Sequence, residues 1–141
     1  MSEYDEVTIP PFVSIDDVDR LLAEPSIDVV IADVRWYLDG RDARSVYRAG
    51  HVPGAVFVDV DSDLSTPGEP IDGRHPLPTP EAFARAMEQL GIGDNTWVVA
   101  YDDTGGMTAG RLVVMLRMLG RRAALLDGGL SAWTDKHGDQ L

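Results

Sequence analysis

The 141-residue chain is long enough for one domain with a real core and too short for two. Its 44% hydrophobic and 26% charged residues make a globular composition, which excludes a mainly disordered chain. With 24 Asp and Glu against 12 Lys and Arg, the formal charge is −12, so a phosphate backbone or an anionic bilayer would be repelled, and neither nucleic acid nor a membrane is expected as a partner.

In chain order, the acidic start "MSEYDEVTIPP" lacks the basic and apolar regions of a secretion signal and reads as an N-terminal extension over residues 1–11. A short strand follows at Phe12–Val13. Ser14 then opens a helix with Asp17 as its capping-box partner, an apolar stripe of Ile15, Val18, Leu21 and Leu22, and Pro25 just beyond its end. Further strands are predicted at Asp28–Val34 and Val56–Val58. The Pro-, Gly- and Asp-rich stretch "DSDLSTPGEPIDGRHPLP" predicts an irregular surface loop rather than a domain linker, because too little core precedes it.

Thr79-Pro80 begins the next helix, with Phe83, Ala86, Met87 and Leu90 inward and Gly91 as its C′ residue. A strand at Trp97–Tyr101 leads to a helix from near Thr108, burying Ala109, Leu112, Val113 and Leu116 and stopping at Gly120. The last strand, Ala123–Leu126, precedes a short helix carrying Ala132 and Trp133. Continuous apolar strands alternating with helices define an α/β fold whose mainly parallel sheet is buried on both faces. Arg111 and Arg117 interrupt the longest apolar run, "RLVVMLRML", well short of the ~18 residues a spanning helix needs. A cytoplasmic protein is the expectation.

The stretch "VVAYDDTGGMTAGRL", residues 98–112, runs from a buried strand through a glycine turn into a helix. Such a turn at the carboxyl end of a parallel strand is where open α/β sheets bind ligands, and its amides can form an anion-binding nest; a plain strand-to-helix connection fits equally. It is neither a Walker loop nor a dinucleotide fingerprint, since no Gly-Lys-Ser/Thr follows and the glycine spacing is wrong. Asp102 and Asp103 are adjacent, whereas aspartyl phosphotransferases of the haloacid-dehalogenase type use Asp-x-Asp followed by Thr; loop carboxylates more often cap amides.

His51, His75 and His137 lack metal-pair spacing and read as hydrogen-bonded structural residues, so no metal and no cofactor is expected. Asp33 and Arg35 in "DVRW" read as anchors for neighbouring loops, and "LDGGLSAW" as a strand end, a glycine turn and a helix, with no function needed to explain it. Cysteine is absent, which removes disulfides, thiolate metal sites and any cysteine nucleophile.

Five segments in order, "IADVRW", "YRAGHVPGAVFVDVDSDLS", "RHPLPTPEAFARAMEQLGI", "WVVAYDDTGGMTAGRLVVMLRMLG" and "LLDGGLSAW", together resemble the rhodanese family of sulfurtransferases. The similarity is to the N-terminal half of two-domain thiosulfate or 3-mercaptopyruvate sulfurtransferases. It implies a rhodanese-like, five-stranded mainly parallel sheet with helices on both faces, over residues 12–137, with 138–141 starting a linker or C-terminal tail.

In an active domain of this family a cysteine opens the loop after the fourth strand and carries sulfur as a persulfide, held by loop amides and a helix dipole. The matching position here is Asp102, so the resemblance implies a degenerate active-site loop of Asp102, Asp103, Thr104, Gly105, Gly106, Met107 and Thr108, a residue longer than the active version. A carboxylate cannot form a persulfide, and at an effective dielectric of about 20 two like charges ~4 Å apart cost ~4 kcal/mol, which would repel thiosulfate. The Asp102 carboxylate is expected to turn into its own cradle.

Two functions follow. The first is a structural N-terminal domain whose partner is a second rhodanese domain of the same protein, holding the active cysteine; the chain stops where the family places a linker. The second is a free-standing, non-catalytic binding or regulatory module with a protein partner.

Overall fold

The computed structural model describes residues 11–65 and 77–138. His75, the middle of the predicted irregular loop, the extension before Pro11 and the tail beyond Gly138 lie outside the described residues. Five strands, β1 (Phe12–Val13), β2 (Val29–Asp33), β3 (Val56–Phe57), β4 (Trp97–Tyr101) and β5 (Arg122–Leu126), form one sheet in the order β1-β5-β4-β2-β3. Every pairing is parallel.

Among the described residues, five helices connect or follow the strands: α1 (Ile15–Leu22), α2 (Ala43–Ala49), α3 (Pro80–Gln89), α4 (Met107–Met118) and α5 (Gly129–His137). All five residues of β4 are buried, because it lies between β5 and β2 with helices over both faces. That is why "WVVAY" is a continuous apolar run rather than an alternating one. One core layer packs Phe83 and Met87 of α3 and Leu112, Val113 and Leu116 of α4 against Ala32, Val98 and Ala100. The other packs Val18 and Leu21 of α1 and Trp133 of α5 against Ile31, Val99 and Ala124.

The capping box of α1 is complete, with Asp17 N donating to Ser14 Oγ and Ser14 N to Asp17 Oδ2, both at 3.1 Å. Thr79 caps α3 through Ala82 N, with Pro80 in the first turn, as its sequence demands.

Helix α2 is an element the apolar periodicity does not announce. It has seven residues and buries none of them, so it has no stripe to read; Asp42 caps it by accepting from Arg44 N at 3.2 Å. The resulting architecture brings the loops after β2, β4 and β5 to the same, carboxyl end of the sheet.

Candidate functional site

Asp102 is the first residue after β4, and its side chain is 1% exposed. Its Oδ1 accepts from Thr104 N at 3.0 Å and Gly106 N at 2.8 Å, and its Oδ2 from Thr108 N at 3.1 Å and Ala109 N at 2.9 Å. The Thr108 hydroxyl lies 2.6 Å from Val34 O and 3.1 Å from Asp102 Oδ2 and shares its one proton between them. Gly106, the N-cap of α4, takes a left-handed conformation and has no side chain to cap the helix. The cap comes instead from four residues upstream, where the Asp102 carboxylate meets the orphan amides at the positive end of the helix. The acidic residue in the cradle is therefore the ligand of the cradle.

Asp103 points elsewhere and accepts from Tyr37 Oη at 2.6 Å, which ties the loop after β4 to the loop after β2. Arg41 stacks on the Tyr37 ring with its guanidinium carbon 3.8 Å from the ring centroid. Burial first, and then the bond to Asp103, push the Tyr37 hydroxyl up to about 12. A proton held more tightly in the folded chain than at the ordinary value of about 10 stabilises the fold fully below pH ~10, and that contribution is lost as pH rises through about 12. We expect Tyr37→Phe to flatten the fall in stability across this window; equal alkaline slopes in the variant and the parent, measured by denaturant unfolding at stepped pH, would contradict it.

Beneath the loop lies a buried polar network. Asp33 takes Arg35 Nη2 at 2.7 Å and Arg35 Nε at 3.0 Å, and Tyr101 Oη donates to the same carboxylate at 2.6 Å. Arg35 also donates to Gly50 O at 2.7 Å, while Val52 N donates to Tyr101 Oη at 3.1 Å. Burial works against the Arg35 charge, but the paired Asp33 outweighs it and holds the guanidinium above its ordinary value. The same burial, with Asp33 beside it, raises the Tyr101 hydroxyl. Asp33 and Arg35 thus anchor the 50–52 loop by holding one another, and the network fixes Tyr101, the residue before Asp102.

His51 stacks on Tyr47, ring centroids 3.8 Å apart, with its Nδ1 2.7 Å from Tyr47 O. His137 Nε2 lies 3.0 Å from Asp19 Oδ1. Among the described residues, no group of three or more His, Asp or Glu side chains is placed to hold a metal ion, and no helix is long and apolar enough to cross a membrane.

The turn after β5 and the first residues of α5, which the sequence leaves without a function, form the other wall of the site. A cleft of about 240 Å³ runs between Asp102–Gly106 and Asp127–Ser131, with Phe12 at its side and the exposed residues Asp103 and Asp127 in its lining. Leu130 N donates to Asp102 O at 3.1 Å, so the two loops are joined. Gly129 has φ +58, and a Cβ there would stand 2.6 Å from Asp102 O. Neither the dihedral nor the space suits another residue. Gly129→Ala should destabilise the domain by roughly 2–4 kcal/mol, against about 1 kcal/mol for Gly105→Ala, whose φ is also positive but whose Cβ would meet nothing within 4 Å; similar unfolding midpoints for the two variants would refute this. The readable signal is a glycine pair one residue after a predicted strand, while the place of that strand beside β4 comes only from the sheet order.

A parallel α/β domain with a self-capped, strand-to-helix loop and a glycine loop beside it is the class this geometry defines. The chain belongs to the rhodanese-like domain family, whose model matches residues 14–136. It is 42% identical over 116 residues to the probable 3-mercaptopyruvate sulfurtransferase of Pseudomonas aeruginosa, covering 79% of this chain and 40% of that protein. It is 44% identical over 110 residues to the human 3-mercaptopyruvate sulfurtransferase, covering 73% and 35%.

The crystal structure of SseA from Escherichia coli, a 3-mercaptopyruvate sulfotransferase, superposes with a TM-score of 0.77 at 33% identity, covering 91% of this chain and 48% of that one. The relatives are two-domain proteins and the chain covers one domain, spanning well under half the length of the curated relatives it matches.

Proposed function

We propose that this chain is the structural, N-terminal rhodanese-like domain, residues 12–137, of a two-domain thiosulfate or 3-mercaptopyruvate sulfurtransferase whose active cysteine lies in the second domain. The observation that carries the reading is the Asp102 carboxylate, which takes the four amides that a persulfide would need at the position the resemblance gives to the nucleophile. With no cysteine in the chain, no thiol is present to accept sulfur. The cleft beside the loop is lined by Asp102, Asp103 and Asp127 and by no Lys or Arg, which disfavours an anionic sulfur donor.

The test is thiosulfate-to-cyanide transfer by the purified chain. Thiocyanate at the level of a protein-free blank is expected, and clear production above it would overturn the reading. Asp102→Cys should not restore full turnover, because the longer loop misplaces its amides and the thiolate replaces a two-oxygen acceptor with a single sulfur. A second reading, a free-standing module that takes a basic side chain of a protein partner, is favoured by the acidic residues Asp103 and Asp127 in the cleft lining. The length of the natural gene separates the two.

A further inference from the structure

Helix α5 is held at both ends. In its first turn Leu130 N donates to Asp102 O at 3.1 Å, so the start of the helix is fastened to the site. In its last turn Lys136 and His137 meet α1. His137 Nε2 stands 3.0 Å from Asp19 Oδ1 and 3.2 Å from Asp19 Oδ2, while Lys136 Nζ lies 2.7 Å from Asp19 Oδ2 and pairs with Asp16 as well. The His137 ring also lies against the buried Trp133 indole, with ring centroids 4.3 Å apart.

The charges around this cluster are those of the elements packed on it. Helix α1 carries Asp16, Asp17, Asp19 and Arg20, of which Arg20 pairs with Asp17. The last turn of α5 adds the exposed Asp135 beside Lys136, and Arg122 of β5 lies over the Trp97 ring. The side chains of Asp19 and His137 are 28% and 29% exposed, so solvent screens their interaction only in part. Burial works against the Asp19 charge, but Lys136 and His137 outweigh it and hold that carboxyl below its ordinary value.

Histidine changes its charge between about pH 5 and 8, where no carboxylate or lysine of ordinary strength does. Facing a carboxylate, Nε2 keeps its proton in either state, so the second proton binds at Nδ1 and adds a charge without breaking the bond. That charge meets the Asp19 carboxylate, the Trp133 indole and the carbonyl end of α5, all of which favour it. Lys136 opposes it from a side chain that is 41% exposed and already engaged with Asp16 and Asp19. The added hold is present while the imidazole is charged and is lost as pH rises through the histidine range.

What is gained at this end of α5 is felt at the other. From Leu130 to His137 the helix contains neither Gly nor Pro and is about 12 Å long, so it moves as one piece. We propose that His137, with Asp19 and Trp133, is a proton-operated clasp that seats α5 on α1 and thereby sets how firmly the start of the helix is held at the Asp102 loop.

The Leu130 amide reports on the clasp, since its bond to Asp102 O must open before its proton exchanges with solvent. In the purified chain its protection factor, corrected for the intrinsic pH dependence of exchange, should fall roughly two- to fivefold from about pH 5.5 to about pH 7.5. In His137→Gln the protection should be low and level across that range. In His137→Lys, charged throughout, it should be high and level, and Asp19→Asn should also remove the fall.

A level profile in the parent chain overturns the clasp. So does a fall that persists in His137→Gln, which would belong to another group such as His51. A His137→Gln chain as protected at both pH values as the parent is at the lower one overturns it too, because the imidazole would then be a neutral hydrogen-bonding anchor whose charge does nothing.

Discussion

Asp102→Ala is expected to cost the domain about 3–5 kcal/mol of unfolding free energy, a large share of the 5–15 kcal/mol that holds a typical domain together. The substitution strips the acceptor from Thr104 N, Gly106 N, Thr108 N and Ala109 N at once, in a place that is 1% exposed. Water has little access to replace it, and α4 has no cap of its own in Gly106. Asp102→Asn should lose nearly as much, because half of the side chain then presents donors to donors. Asp103→Ala removes only the partner of Tyr37 and should cost about 1 kcal/mol. Urea unfolding of the three variants gives the comparison, and a loss at Asp102 no larger than that at Asp103 would mean the carboxylate does not hold the loop.

Arg35→Ala should be comparably severe, about 3–5 kcal/mol, because it leaves a carboxylate buried without its cation. The Arg35 side chain is 5% exposed and that of Asp33 is fully buried. Removing the guanidinium also orphans Gly50 O and leaves Asp33 with Tyr101 Oη and the Arg35 amide as donors. Arg35→Lys should recover only part of the loss, since a single ammonium cannot reproduce two nitrogens directed at one carboxylate and a third contact at Gly50 O. Because Tyr101 Oη also takes Val52 N, the loosened network should show as faster amide exchange at Val52. Unchanged exchange there, with a stability loss within about 0.5 kcal/mol, would refute the network as an anchor.

The elements with an apolar rhythm are legible in the sequence alone. Trp97–Tyr101 is a run that only a central strand buries on both sides, and the Ser14/Asp17 and Thr79/Pro80 signals mark helix starts whose cap bonds form as written. Helix α2 is not legible, because seven residues that bury nothing carry no period. The turn from Asp127 into the start of α5 is not legible as part of the site, because its glycine pair is also a good turn in isolation and only the β5–β4 adjacency brings it against Asp102 O. Tyr37 with Asp103, and Asp33 with Tyr101, are 66 and 68 residues apart, a separation that local pattern cannot bridge.

By itself the sequence determined the class of fold, through the spacing of its apolar residues, and the absence of a thiol, through its composition. It also placed a carboxylate where the resemblance calls for a nucleophile. Its turn into the cradle was an expectation from the resemblance, and the four amides it takes there were decided only in three dimensions. Strand order sets α4 on the sheet with its first amides turned back toward the end of β4, and a buried side chain with two acceptor oxygens has no better partners than those amides. The arginine network under the loop was decided in the same way, by which loops the sheet brings together.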